Sequence, residues 1–200
     1  MDEVITQIIK GKKPCYFISP HFDDAALSCG ELMQYLAQKT NVTVINIFTR
    51  ADNSHQTISA KKTIAVSGFP TPYALYQERT REDALALSSI GVSVINLSEV
   101  EALWRKKSNA SRLQQYLAHF IPEIVHVYPT YRFHIAKGKL AENDEQVIIR
   151  VSNRLKKIVP KNAVVFSPLA VGGHVDHVVT RKSVEKSFKP IYWVDQPYLI

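Results

Sequence analysis

The stretch Cys15-Tyr16-Phe17-Ile18-Ser19-Pro20-His21-Phe22-Asp23-Asp24 decides the fold. A short apolar run of strand character ends in a corner that carries one imidazole and two carboxylates, and a helical pattern starts directly afterwards, near Ala25. The same design returns late in the chain. There Ala163-Val164-Val165-Phe166 gives way, through Gly172-Gly173-His174-Val175-Asp176-His177, to a helical pattern that starts near Val175. In an α/β sheet both corners can lie at the carboxyl edge of neighbouring strands, where such folds place their ligands. His, Asp and His converging there make a three-ligand set for a catalytic divalent ion with one open position.

Working outward from these corners, strands and helices alternate. Strand Cys15 to Ser19 leads to a helix from Ala25 to Gln38 and a strand from Val42 to Phe48. A polar loop follows, then a short helix from Ser59 to Val66 and a break at Ser67-Gly68-Phe69-Pro70-Thr71-Pro72. A helix from Gln77 to Ser89 stops at Gly91 and feeds a strand from Val92 to Leu97. A helix around Ala110 to Phe120 precedes Pro122 and the apolar run Ile124 to Tyr128. An aromatic and basic loop, Thr130 to Leu140, leads to a long helix from Glu142 to Val159. Strand Ala163 to Ser167, helix Val175 to Lys186 and strand Ile191 to Val194 complete the pattern. This alternation predicts a three-layer α/β/α sandwich, Rossmann-like, with a mostly parallel sheet. Residues 1–200 are expected to form one domain.

The composition agrees. A chain of 200 residues with 46% apolar content can bury a real core. No run reaches membrane-spanning length, and Met1-Asp2-Glu3 does not open a secretory signal, so a cytoplasmic location is expected. Cys15 and Cys29 read as buried free thiols in a reducing compartment. The net charge of +7 invites a nucleic-acid partner, but the basic residues are scattered as doublets, Arg105 to Lys107 among them. No recognition motif accompanies them, so no nucleic acid is expected and solvated faces are the ordinary reading.

Taken together in order, His21-x-Asp23-Asp24, Arg79-x-x-Glu82 with its helix ending at Ile90-Gly91, Gly172-x-His174-x-Asp176-His177 and Asp195-x-Pro197-Tyr198 resemble the PIG-L/LmbE-like family of metal-dependent N-deacetylases. The resemblance spans nearly the whole chain, and its ordered set of motifs is far more specific than either His motif alone. It implies that His21, Asp24 and His177 hold one divalent ion, zinc foremost and ferrous iron the alternative. It implies Asp23 as general base and acid, and His174 as an imidazolium meeting the oxyanion. Asp176 is expected to hydrogen-bond one of the rings. Arg79 and Asp195 are the substrate-side candidates, with a helix salt bridge from Arg79 to Glu82 and a plain strand-end turn at Asp195 as their ordinary readings. Asp23 and Asp24 also suit a helix N-cap, the ordinary reading for that dipeptide alone. The chain departs from the family in having Ala25 where Glu often follows the two aspartates.

The implied activity is hydrolysis of the N-acetyl group of a small N-acetylglucosamine-type sugar conjugate, giving acetate and a free amine. A catalytically silent sugar-binding protein and a hydrolase of another amide are the alternatives. Tyr131-Arg132-Phe133-His134 could rim the sugar pocket or serve as a packing or oligomer contact; members of the family commonly self-associate, and the sequence leaves the oligomeric state open between monomer and homo-oligomer.

Overall fold

The computed structural model describes residues 3–196. In chain order the elements are α1 (Glu3–Lys10), β1 (Cys15–Ser19), α2 (Asp24–Ala37), β2 (Val42–Arg50), α3 (Ile58–Ser67), α4 (Pro72–Ser89) and β3 (Ser93–Val100). They are followed by α5 (Arg112–Leu117), α6 (Asp144–Ile158), β4 (Val164–Pro168), α7 (Val175–Glu185) and β5 (Ile191–Trp193). The strands form one sheet in the order β3-β2-β1-β4-β5, and every neighbouring pair is parallel. Parallel neighbours require long crossovers, and the helices between successive strands supply them.

Both faces of the sheet are covered, which is why the inner strands read as nearly continuous apolar runs. Along β1 the pleat sends Cys15 and Phe17 into a cluster with Ile8 of α1 and Cys29, Met33 and Leu36 of α2. Ile18 faces the opposite cluster, which holds Ile148, Val151 and Leu155 of α6 and Val175 and Val179 of α7. Phe17 and Phe166 stack at 4.3 Å between centroids, 2° from parallel, locking β1 against β4 from one side. Both cysteines are buried and free, and among the described residues no helix is long and apolar enough to cross a membrane.

The chain runs outward from β1 through β2 to β3, then returns to place β4 on the other side of β1. The winding therefore reverses between β1 and β4. The crevice beyond the carboxyl ends of those two strands is where a sheet of this kind admits a ligand, and both motif corners fall there.

Three elements differ from the sequence expectation. Helix α4 starts at Pro72 instead of Gln77, because Thr71 accepts the Ala74 N–H through its side chain and Pro72 fits the first turn. Helix α5 is confined to Arg112–Leu117 within the expected Ala110 to Phe120, and the apolar run that follows holds a 3₁₀ turn at 122–125 and one antiparallel bridge, Lys106 to His126. Strand β3 continues to Val100 past an irregularity at Ser98, whose φ of 57° breaks the ladder register. Helix α1 had no sequence expectation, and Pro197 and Tyr198 lie outside the described residues.

Candidate metal centre

The first corner is built by hydrogen bonds that leave the key carboxylates for other work. Ser19 Oγ donates to the His21 carbonyl at 2.8 Å and accepts the Ala25 N–H at 3.1 Å, closing the turn between β1 and α2. Asp23 is the N-cap of α2, yet its side chain makes no capping bond and its φ is 65°. A left-handed conformation is costly for any residue with a Cβ, and here it aims the carboxylate away from the helix end. The capping reading therefore fails for Asp23. Its backbone N–H donates to Asp83 Oδ1 at 3.0 Å, and Asp83 Oδ2 accepts from Asn46 Nδ2 at 2.7 Å.

The second corner is tighter. Gly172 and Gly173, at φ 87° and 68°, carry the loop from β4 into α7. Gly138 lies against them: a Cβ there would meet the Gly173 carbonyl oxygen at 2.8 Å. His174 is the N-cap of α7, its Nδ1 accepting the Asp176 N–H at 3.3 Å. That bond assigns the ring proton to Nε2.

At the switch point the two corners meet. Asp24 Oδ2 lies 3.1 Å from His21 Nδ1 and 3.3 Å from His177 Nε2, and it also accepts the His21 backbone N–H at 2.9 Å. Each ring is held from behind by a buried carboxylate. His21 Nε2 faces Asp176 Oδ2 at 3.2 Å, and His177 Nδ1 is hydrogen-bonded to Asp195 Oδ1. When the two rings are neutral and keep their protons on the Asp176 and Asp195 sides, both turn lone pairs toward the same Asp24 oxygen. Three acceptor atoms then converge with no donor among them, an array that a cation satisfies. His21, His174 and His177 also each offer a ligand atom within 4.8 Å of the others.

The electrostatics follow from the same contacts. Burial opposes charge on His21 and His177, but the carboxylates beside them win and lift both rings above the ordinary imidazole range. Burial likewise opposes ionisation of Asp24, yet His177 and His21 hold its carboxyl far below the usual value. His174 goes the other way: burial and the neighbouring His21 and His177 push it down to about 3. With Nδ1 accepting the Asp176 N–H, the donor this ring has available is Nε2–H. Asp23 sits above the usual carboxylate range, because partial desolvation outweighs the nearby Arg79 guanidinium.

All of the sequence-derived candidates among the described residues come to this crevice, with two changes of position. Arg79 does not pair with the exposed Glu82; its Nη2 lies 3.7 Å from Asp23 Oδ1, and its guanidinium rests against the rings of Phe22 and Tyr76 at 5.7 and 5.9 Å. Asp195 is only 1% exposed, with its oxygens turned to His177 Nδ1 and the Val171 N–H at 3.3 Å. The expected substrate contact is corrected accordingly: Asp195 lies behind the ring of His177. Tyr131 stands 5.9 Å from His174, ring to ring. With Phe133, Val66, Leu75 and Arg79 it lines a groove of about 740 Å³ beside the site.

Asp83 and Arg105 were not singled out by sequence. Asp83 is one residue past the Arg-x-x-Glu motif and shows no pattern of its own. Arg105 sits in a basic cluster that reads as solvated, yet it is 7% exposed and bonds Asp176 and Asp144. An acid in the first turn of a helix, as Asp144 is, is ordinary in sequence, so no sequence signal marked Arg105.

The chain is also similar to known proteins. Residues 16–188 match the family described as GlcNAc-PI de-N-acetylase, PIG-L. No curated protein matches significantly. A deacetylase of teicoplanin biosynthesis, solved in complex with teicoplanin, is 23% identical, with 92% of this chain aligned to 71% of that one and a TM-score of 0.73. The zinc-inhibited form of teicoplanin deacetylase Orf2 is 22% identical over 92% of this chain and 68% of that one, with a TM-score of 0.71. The A40926 pseudoaglycone deacetylase Dbv21 is 21% identical over 94% and 65%, with a TM-score of 0.64. These likenesses establish a shared fold, and the family match spans most of the sequence: the chain belongs to the PIG-L family of N-deacetylases.

Proposed function

We propose that this chain, acting as one domain, is a divalent-metal-dependent hydrolase that removes the acetyl group from an N-acetylglucosamine-type sugar conjugate. The observation that carries the reading is the convergence of His21 Nδ1, Asp24 Oδ2 and His177 Nε2, with Asp23 next in sequence and unspent on capping. The donor set suits zinc or ferrous iron, two imidazoles and a carboxylate leaving room for water and substrate. When bound, such an ion polarises an amide carbonyl and lowers the pKa of water toward about 7.

The remaining work falls to the chain's own groups. Asp23, with a carboxyl raised toward useful basicity, takes a proton from the attacking water and returns one to the departing nitrogen. The water oxygen first joins the acyl carbon, and the C–N bond then breaks as the carbonyl re-forms and the nitrogen takes the proton, so acetate and a free amine result. His174 donates its Nε2–H to the carbonyl oxygen as negative charge develops there, a role worth about 10²–10³ in rate for donors of this kind. As a neutral donor it does this without placing a further positive charge beside His21 and His177. Asp176 and Asp195 set the tautomers of the two ligating rings. Arg79, held near Asp23 and opening onto the groove with Tyr131, is placed to hold the sugar or its substituent.

The test is acetate release from a panel of N-acetylglucosamine conjugates, with the chain loaded separately with Zn²⁺ and Fe²⁺. Asp23→Ala should retain the ion and lose turnover. Turnover that survives in Asp23→Ala would remove the acid–base role. A wild-type chain that binds these sugars but releases no acetate would favour the silent sugar-binding reading.

A further inference from the structure

Asp176 is fully buried, and every one of its close partners can be named. Its Oδ2 accepts the Ala102 N–H at 2.8 Å and faces His21 Nε2 at 3.2 Å; its Oδ1 is bonded by Arg105 Nη2. Arg105 comes from the segment after β3, Asp176 from α7 and His21 from the end of β1, so the contact ties three distant parts of the chain at one point. The guanidinium is itself held on every side. Its Nη1 donates to Asp144 Oδ1 at 2.8 Å, and its Nε and Nη2 donate to the Val100 carbonyl at 3.3 and 3.2 Å. The Phe48 ring lies 4.9 Å from Cζ and the Tyr128 ring 5.9 Å. Asp144 is anchored in turn by Tyr128 Oη and by the Ala141 N–H at 2.9 Å.

We infer that Arg105 is a positioning residue for the metal centre, acting through Asp176 on His21. A carboxylate with no exposure needs a compensating charge, and Arg105 is the cation that touches Asp176 outside the site itself. The planar fork fits this duty: one nitrogen reaches Asp176 and the other Asp144, so both position and orientation of Asp176 are fixed. Asp176 in that orientation accepts a hydrogen bond from His21 Nε2–H and leaves Nδ1 directed at Asp24. Without Arg105, Asp176 loses its lateral anchor as well as its counter-charge, and His21 loses the partner that sets its ring. Partners of this kind change metal affinity about 10–100-fold when removed, although they never touch the ion. Lys106 and Lys107, the neighbours of Arg105 in sequence, take no part: they reach Asp52 and the Ile124 carbonyl.

The inference rests on the metal reading above, and the experiment separates the two. Zn²⁺ affinity is measured by competition with a chromophoric chelator for the wild-type chain, Arg105→Met and Arg105→Lys, each first checked for native circular dichroism and thermal unfolding. The expected result is Zn²⁺ binding that weakens about 10–100-fold in Arg105→Met, with partial recovery in Arg105→Lys, which keeps the charge and loses the fork. If Arg105→Met does not fold, Arg105→Lys decides, because it should fold and still bind zinc several-fold more weakly than wild type. Native-like variants with lowered unfolding temperature but zinc affinity within twofold of wild type would reduce Arg105 to a structural ion pair and overturn the inference. A wild-type chain that binds no Zn²⁺ would instead strike the metal reading itself.

Discussion

Asp23 offers a substitution that should leave stability nearly unchanged while it removes activity. Its φ of 65° is unfavourable for a residue with a side chain, and the carboxylate does not repay the helix with a capping bond. Replacement by Gly removes about 1–2 kcal/mol of left-handed strain. Against this stand about 0.5–1 kcal/mol for the greater freedom of Gly in the unfolded chain and about 0–1 kcal/mol for the lost ion pair with Arg79, since the Asp23 side chain is 58% exposed. The anchoring bond from the residue 23 N–H to Asp83 survives, because it is a backbone donor. The balance for Asp23→Gly therefore runs from about 1 kcal/mol destabilising to about 1.5 kcal/mol stabilising and centres close to neutral. Asp23→Ala keeps the strain and loses the ion pair, so it should be the less stable of the two by about 1 kcal/mol, or about 2–4 °C in unfolding temperature for a chain of this size. Both should lose roughly 10²–10⁴ in turnover if the residue moves the proton. Thermal unfolding and acetate release on the metal-free and metal-loaded proteins measure both effects. If Asp23→Gly unfolds at a lower temperature than Asp23→Ala, the strain argument is wrong, whatever happens to activity.

Further outcomes follow from the same contacts. Gly138→Ala forces its new methyl toward the Gly173 carbonyl, so it should lower both the unfolding temperature and turnover by shifting the loop that carries His174; unchanged activity would show that the loop yields freely. Phe17→Ala deletes one ring of the buried stack between β1 and β4 and should cost about 3–5 kcal/mol in urea unfolding. A loss under 1 kcal/mol, roughly what an exposed site gives, would contradict that packing. Glu99, although burial works against its charge, is held below the usual carboxylate range by Arg150 and Arg154. A lowered folded value means its contribution is present above the unfolded value of about 4.3 and is lost as pH falls through the folded one. The stability gap between wild type and Glu99→Gln should accordingly narrow on acidification below about pH 4, and a gap that widens there would refute the assignment.

Much of the site was legible because the family motifs sit where sheet topology must bring them together. His21 follows β1 and His177 follows β4, and a doubly wound sheet makes those strands neighbours however far apart they lie in sequence. What was not legible depends on tertiary partners. Arg105 looks like any member of a basic cluster until Asp176 and Asp144 are seen to meet it from other elements. The burial of His174, and the two rings that face it, could not be read from its motif either. The role of Asp195 changed for the same reason: only the fold shows that the ring of His177 stands in front of it. Local errors had local causes. The start of α4 was placed too late because Pro72 was taken as part of a break, where Pro also serves as a first-turn residue after a Thr cap.

The central claim is that His21, Asp24 and His177 hold the ion while His174 keeps its proton for the substrate oxygen. A crystal structure of the Zn²⁺-loaded chain, with the ion located by anomalous scattering, tests it most directly. The account predicts one ion about 2.0–2.2 Å from His21 Nδ1, an Asp24 carboxylate oxygen and His177 Nε2, with His174 beyond bonding distance. An ion bound by the three rings of His21, His174 and His177, with Asp24 turned away, would contradict it.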